Sequence, residues 1–210
     1  MHRIPQLTIN RQGDPYSQKL DSAIISNPIR IGLFQDGAIF WKYPCLTECR
    51  DEQQPTLSIM SMNCSSEYEM IKFCLTTNQK FNQNVKVVVQ YQNLNDSSST
   101  AFYCPSESAI VSFSGENQIV SLIGGSLNGK PMKEFCIHDK EEYNHKTLQD
   151  CLRRGRLRMS WLATGNVCST FTFETVISSE LDAAGVIWIF HSNSEETVKY
   201  KKKEMTSNIL

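Results

Sequence analysis

The stretch Val85-Lys86-Val87-Val88-Val89-Gln90-Tyr91 decides how this chain is read. Val85, Val87, Val89 and Tyr91 fall on one face, with Lys86 and Gln90 opposite, which is the period-two pattern of a half-buried strand. Working outward, the same alternation recurs. Ile29, Ile31 and Leu33 alternate with Arg30 and Gly32, Asp36-Gly37 is a hairpin signal, and Ala38–Trp41 follows it. Thr56–Met62 alternates as well, and Glu69–Thr76 puts Ile71, Phe73 and Leu75 on one face. Ala109–Phe113 and Gln118–Ile123 flank a turn at Gly115. Ser169–Ile177 alternates Phe171, Phe173 and Thr175 with Thr170, Thr172 and Glu174. Arg156–Ala163 predicts another half-buried strand, with Arg156, Arg158 and Ser160 opposite Leu157, Met159 and Trp161.

Helical spacing shows in two places. Leu148, Cys151 and Leu152 suggest a short helix within Glu141–Arg154. Ser178-Ser179 is an N-cap candidate, followed by Glu180 and Asp182, and Leu181, Ala184, Ile187, Trp188 and His191 would then share one helical face. The pattern predicts an α+β fold: a mainly antiparallel β-sheet of about seven to nine short strands with two or three packed helices, in a single domain. Residues 1–25 are polar and aperiodic and read as a flexible or extended arm, 26–195 as the globular domain, and 196–210 as a basic tail.

The chain has 210 residues, 21 Lys+Arg against 22 Asp+Glu, 40% hydrophobic and 10% aromatic residues. That is enough apolar material for a core, and it argues against disorder. A formal net charge of −1 argues against a surface that coats nucleic acid throughout. No apolar run reaches the length of a signal peptide or a membrane-spanning helix, so the chain reads as soluble and intracellular. Its 8 Cys then read as reduced thiols, several buried like small hydrophobes. The N-x-[ST] triplets at Asn63 and Asn95 are short enough to arise by chance.

Chemistry-bearing motifs are sparse. Cys45 and Cys49, or Cys136, His138, His145 and Cys151, could be tested as zinc ligands, but they lack the two close pairs a tetrahedral site wants. Gly124–Pro131 only partly follows a phosphate-binding loop, because Pro131 stands where Ser or Thr must hold magnesium, and Gly124, Gly125 and Gly129 read as turn glycines. His138, near Asp139 and Glu141, reads as a solvated surface histidine, and the pairs Glu141-Glu142 and Glu195-Glu196 as water-facing acids. No catalytic residue, metal or cofactor is expected. Binding features stand out more. Arg153, Arg154, Arg156 and Arg158 form one basic cluster, and Lys199, Lys201, Lys202 and Lys203 a second, so the neutral total conceals local positive patches. Lys130, Met132, Lys133, Phe135 and Ile137 form a third candidate, apolar tips flanked by lysines that could meet a membrane or partner. The alternative, that Phe135 and Ile137 begin a core strand, stays open.

The run TFTFETVISSELDAAGVIW (Thr170–Trp188) resembles part of the matrix proteins of rhabdoviruses, most closely the vesiculovirus kind. There a strand leads through an acidic turn into a helix whose Leu-acid-Ala-Ala-x-x-Ile-Trp pattern falls here on Leu181, Asp182, Ala183, Ala184, Ile187 and Trp188. Weaker similarity follows in KFCLTTNQKF (Lys72–Phe81), LIGGSLNGKP (Leu122–Pro131) and EEY (Glu141–Tyr143), together about half the chain. The resemblance implies a compact domain that self-associates, condenses a viral nucleocapsid through its protein and links it to an anionic membrane, without reading a specific nucleic-acid sequence. It implies a place in the virion and the host cytoplasm or nucleus, peripheral to membrane. The family's exposed hydrophobic loop would fall near Lys130–Ile137. The family's lysine-rich arm with a P-P-x-Y motif has no counterpart, since the arm here is nearly neutral and offers only Asp14-Pro15-Tyr16. The expected function is therefore a non-enzymatic matrix-type structural protein, with a soluble β-rich accessory protein that binds a host or cellular partner as the alternative.

Overall fold

Val85, Val87 and Val89 are buried, and the strand that carries them runs through the middle of a five-stranded sheet. The computed structural model describes residues 29–42, 55–65, 67–92, 98–115, 118–140 and 145–207. In chain order the elements are β1 (Ile29–Gln35), β2 (Ala38–Lys42), β3 (Thr56–Cys64), β4 (Tyr68–Thr76), β5 (Gln83–Gln92), β6 (Ser99–Cys104), β7 (Ala109–Ser114), β8 (Val120–Leu127), β9 (Lys130–Pro131), β10 (Glu134–Asp139), α1 (His145–Arg153), β11 (Leu162–Gly165), β12 (Val167–Ile177), β13 (Ala183–Ser192) and α2 (Glu195–Ser207).

The strands form two antiparallel sheets, ordered β10-β12-β5-β1-β2 and β11-β6-β7-β8-β13-β4-β3, with β9 paired to β8. They pack face to face. One core joins Ile31, Val87, Val89, Phe171 and Phe173 of the first sheet to Ile71, Phe73, Ile123, Ile187 and Ile189 of the second. Each outer face carries one helix. α1 sets Leu148 and Leu152 on Ile39, Val88 and Cys136 of the first sheet. α2 sets Val198 on a cluster of Val111, Leu122, Trp188 and Phe190 on the second. Ser194 caps α2, its hydroxyl accepting from Thr197 N at 3.3 Å, with Glu195 and Glu196 in the first turn where acids suit the dipole.

The expected α+β class is overturned. The described residues are mostly β, with two helices laid on a two-sheet sandwich. The largest single reason is β13, which the helical spacing misassigned. Ala183, Ile187 and Ile189 face the inter-sheet core while Trp188 and Phe190 face α2. Both faces are apolar, so the strand's alternation is hidden, and the Val-Ile-Trp-Ile-Phe run supplies the branched and aromatic side chains that strands favour. Ser178-Ser179 is not a helix cap: Ser178 and Leu181 close a tight turn with reciprocal backbone bonds of 3.1 and 3.0 Å.

Asp36 and Gly37 do close the β1–β2 hairpin, at φ 50° and 79°. Gly129 turns with Asn128 at positive φ, but Gly124 and Gly125 lie inside β8 rather than in turns. The Trp188 ring occupies the space above Gly124, and the Phe73 ring that above Gly185. The stretch expected as a basic tail is helical through Ser207. The N-terminal arm, Cys45, Cys49, Asn95 and Glu141–Tyr143 lie outside the described residues.

Gly185→Val should destabilise the protein by about 1–3 kcal/mol, because a side chain there meets the Phe73 ring in the middle of a central strand. Ala184→Val, one residue away on the exposed side, should change stability by less than about 0.5 kcal/mol in the same urea titration.

Candidate functional site

The arginine cluster begins where α1 stops. Gly155 takes φ 88°, Arg156 N donates to the Cys151 carbonyl (3.3 Å) and Gly155 N to that of Leu152 (2.9 Å), a Schellman closure that only glycine fits without strain. The chain then crosses from the edge of one sheet to the edge of the other. Leu157 N donates to Glu134 Oε2 (3.2 Å), Ile137 N donates to the Ser160 carbonyl (3.2 Å), and Tyr103 N to that of Trp161 (3.0 Å).

This crossing corrects the strand expected over Arg156–Ala163. Only Leu162–Gly165 is a strand, and the expected buried face is divided. Leu157 is buried, whereas Met159, Trp161 and Leu162 are 52%, 54% and 58% exposed. Trp161 is nonetheless held, packing edge-on against Phe135 and Tyr103 at centroid distances of 4.9 and 5.5 Å. Arg154, Arg156 and Arg158 are exposed beside these apolar residues, with no ion-pair partner among the described residues. Arg153 does different work: its Nε donates to the Gly37 carbonyl (2.9 Å) and its guanidinium pairs with Asp150 (3.3 Å), tying α1 to the first hairpin.

The proposed apolar tips are not tips. Met132, Phe135 and Ile137 are 7%, 4% and 0% exposed, because β10 is a sheet strand whose inner face meets the core. Lys130 and Lys133 remain at the surface, where Lys133 pairs with Glu174. The C-terminal lysines sit on α2, across the sandwich from the arginines, and most are tied down. Lys199 pairs with Glu195 (2.6 Å), Lys201 with Glu67 (3.3 Å) and Lys202 with Glu107 (3.0 Å), the last also lying over the Trp188 ring at 5.1 Å. Lys203 is exposed. The two basic clusters therefore cannot form one surface.

An open groove of about 1090 Å³ lies at one end of the sandwich, lined by Lys86, Glu174 and Val176 of the first sheet and by Asn128 and Lys130 of the β8–β9 turn of the second. Lys86, Lys130, Lys133 and Gly155 all line it, and Gly155 stands between Arg154 and Arg156 in the chain. Lys86 is nearly buried and satisfied by Glu174 Oε1 (2.8 Å), Glu134 Oε2 (3.4 Å) and the Gly155 carbonyl (2.9 Å). Burial alone would raise the Glu174 pKa, but the hydrogen bonds from Lys133 and Lys86 hold it below the ordinary carboxylate value, so the acid stays charged.

One constellation has the composition of a hydrolytic triad and the geometry of a structural strut. Ser121 Oγ lies 2.9 Å from His191 Nδ1, and His191 Nε2 lies 3.8 Å from Glu69 Oε1. Ser121 is 6% exposed and hydrogen-bonded to the buried Tyr91, whose phenol burial pushes up to about 12. The adjacent cavity of about 250 Å³ is lined by His191 and Lys201 and not by Ser121, so the hydroxyl lies outside the space a ligand there would fill. Nothing in the sequence brought these residues together, since they come from three strands of one sheet.

His138 is a further correction. It is buried, not solvated, beside Cys136 on β10, its Nδ1 3.2 Å from the Cys168 carbonyl. Burial lowers its pKa to about 4, against a smaller opposing pull from Asp139, and burial pushes the Cys168 thiol up to about 12. No group of three or more His, Cys, Asp or Glu side chains placed to hold a metal occurs among the described residues.

No protein-family model and no curated protein matches the sequence. Among solved structures, a bacterial glucoamylase crystallised with acarbose matches at 12% identity and a TM-score of 0.45. The match covers 84% of this chain and 28% of the glucoamylase chain, so this chain spans little more than a quarter of that structure. A likeness at that level bears on neither fold nor function. No helix among the described residues is long and apolar enough to cross a membrane.

Because His138 stays neutral in the fold down to about pH 4 but takes a proton near 6.5 when unfolded, stability should fall as pH drops through that window. The loss should reach on the order of 2–3 kcal/mol, read from urea midpoints, and His138→Gln should flatten it. An unchanged slope in that variant would place the acid sensitivity elsewhere.

Proposed function

We propose that this chain is a non-enzymatic structural protein of matrix type that attaches peripherally to an anionic membrane surface through the segment Arg154–Leu162. The observation that carries the reading is the meeting, within nine residues, of three exposed arginines and three large exposed apolar side chains on a protein of net charge −1. A basic residue near an anionic bilayer contributes about 1 kcal/mol, and a tryptophan held at a surface suits the headgroup zone. The apolar part of the contact belongs to Met159, Trp161 and Leu162, in place of the buried Met132, Phe135 and Ile137. Linking a nucleocapsid protein to that membrane, and self-association, require a second surface. The α2 face, opposite the arginines, supports that part of the reading.

Flotation of the full chain with vesicles tests it. Binding should require phosphatidylserine, weaken as salt rises, and fall roughly a hundredfold in the Arg154→Ala/Arg156→Ala/Arg158→Ala variant. Trp161→Ala should weaken it further on the same vesicles. Equal recovery on neutral and anionic vesicles, or none on either, would sink the proposal and leave the soluble, partner-binding alternative.

A further inference from the structure

Between α1 and β11 the chain leaves both sheets, and what holds it changes along its length. At its start, Arg156 N is closed onto the Cys151 carbonyl, and the Gly155 carbonyl accepts from Lys86 Nζ (2.9 Å). At its end, the Ser160 and Trp161 carbonyls accept from Ile137 N (3.2 Å) and Tyr103 N (3.0 Å). In between, the backbone is held at Leu157, whose N donates to a side chain, Glu134 Oε2 (3.2 Å). We infer that Glu134, together with Lys86, is a positioning residue for the arginine segment, fixing the backbone around Arg156 before an anionic surface is met. The inference rests on the membrane-attachment reading above and names what orders that same site.

Neutralising Lys86 does not account for Glu134. Glu174 stands directly opposite Lys86 across the β5–β12 pair and meets its ammonium at 2.8 Å, so the lysine has a close carboxylate already. Glu134 lies one strand further out, on β10, and reaches Lys86 at 3.4 Å. Keeping a second acid nearly buried costs desolvation that an apolar side chain would avoid. What the acid adds is the acceptor for Leu157. The same Oε2 takes that bond and the Lys86 contact, so one ion pair grips the two peptide groups that flank Arg156. The Leu157 side chain is meanwhile buried with Val88 and Leu152, which fixes the residue at a second point.

A backbone ordered in advance loses no freedom on attachment, whereas a loose one must lose it then. Order and charge therefore predict opposite effects of removing the acid. Glu134→Leu deletes a negative charge from the setting of the arginines, so attraction to an anionic bilayer, taken alone, would rise. Positioning requires the affinity to fall.

Amide hydrogen exchange and flotation with phosphatidylserine vesicles, both on the full chain, test this together. In Glu134→Leu the Leu157 amide should exchange roughly tenfold faster while the Tyr103 and Ile137 amides keep their protection. Vesicle affinity should fall about fivefold. Glu134→Gln, whose amide oxygen still accepts from Leu157 N, should recover most of both losses. Flotation of Glu134→Leu equal to or better than wild type would overturn the positioning role alone. Unchanged exchange at Leu157, equal loss in the Gln variant, or lost protection at all three amides, the mark of an acid that serves the fold, would overturn it as well. Failure of the wild-type chain to float would sink the attachment reading and this inference with it.

Discussion

Phe73 of β4 and Phe173 of β12 meet between the sheets with ring centroids 6.4 Å apart, and the rest of the sandwich is arranged around that contact. Both rings are fully buried, and Phe171 packs edge-on against Phe173 at 5.6 Å. Two aromatic rings entering from opposite sheets need room, which glycines supply. Gly185 of β13 lies under Phe73, and Phe173 Cζ comes within 3.0 Å of where a side chain on Gly125 of β8 would begin. β13 and β8 are hydrogen-bonded neighbours with Gly185 opposite Leu127 and Ile187 opposite Gly125, so the two spaces are close in one sheet. Register errors along this pair would place a branched side chain under a ring. Burying each phenylalanine is worth a few kcal/mol, and the fit that lets both be buried is what fixes the strand pairing.

That central contact also decides where surface chemistry can lie. With the inner faces committed to the core, each outer face still carries apolar residues that one helix must cover, α1 over Val88 and α2 over Trp188. The basic clusters ride with those helices and are parted by the thickness of the sandwich. On the α2 side the lysines serve the fold: Lys202 reaches both Glu107 and the Trp188 ring. A partly buried cation held by a carboxylate and an aromatic face loses less to solvent screening than one at an open surface. On the α1 side Arg153 is tied to Asp150 and the Gly37 carbonyl, and Arg154, Arg156 and Arg158 are exposed.

Strands with one polar face were legible in the sequence. The core faces of β5 and β1 showed in Val85, Val87 and Val89 and in Ile29, Ile31 and Leu33, and Asp36-Gly37 named its own hairpin. The helix α1 was legible in outline from Leu148 and Leu152. What failed was any element whose two faces have similar polarity, because periodicity is then silent. β13 is apolar on both faces, and its i, i+3, i+4 coincidences imitated a helix. Arg156–Trp161 alternates in letters, yet it bridges two sheet edges and has no single core face to obey. His138 failed differently. It read as a solvated surface histidine, but it lies on the outer face of β10, and the burial of that face depends on packing from residues distant in sequence. The groove could not be read at all, since Lys86, Lys130 and Gly155 converge only once β5, β9 and α1 are placed.

The groove and the arginine segment meet at one group, the Gly155 carbonyl that accepts from Lys86. Gly155 ends α1, lines the groove and opens the segment that carries the exposed arginines. The left-handed backbone at Gly155 ends the helix between Arg154 and Arg156, and the Lys86 bond anchors that turn to β5, the middle strand of the sheet.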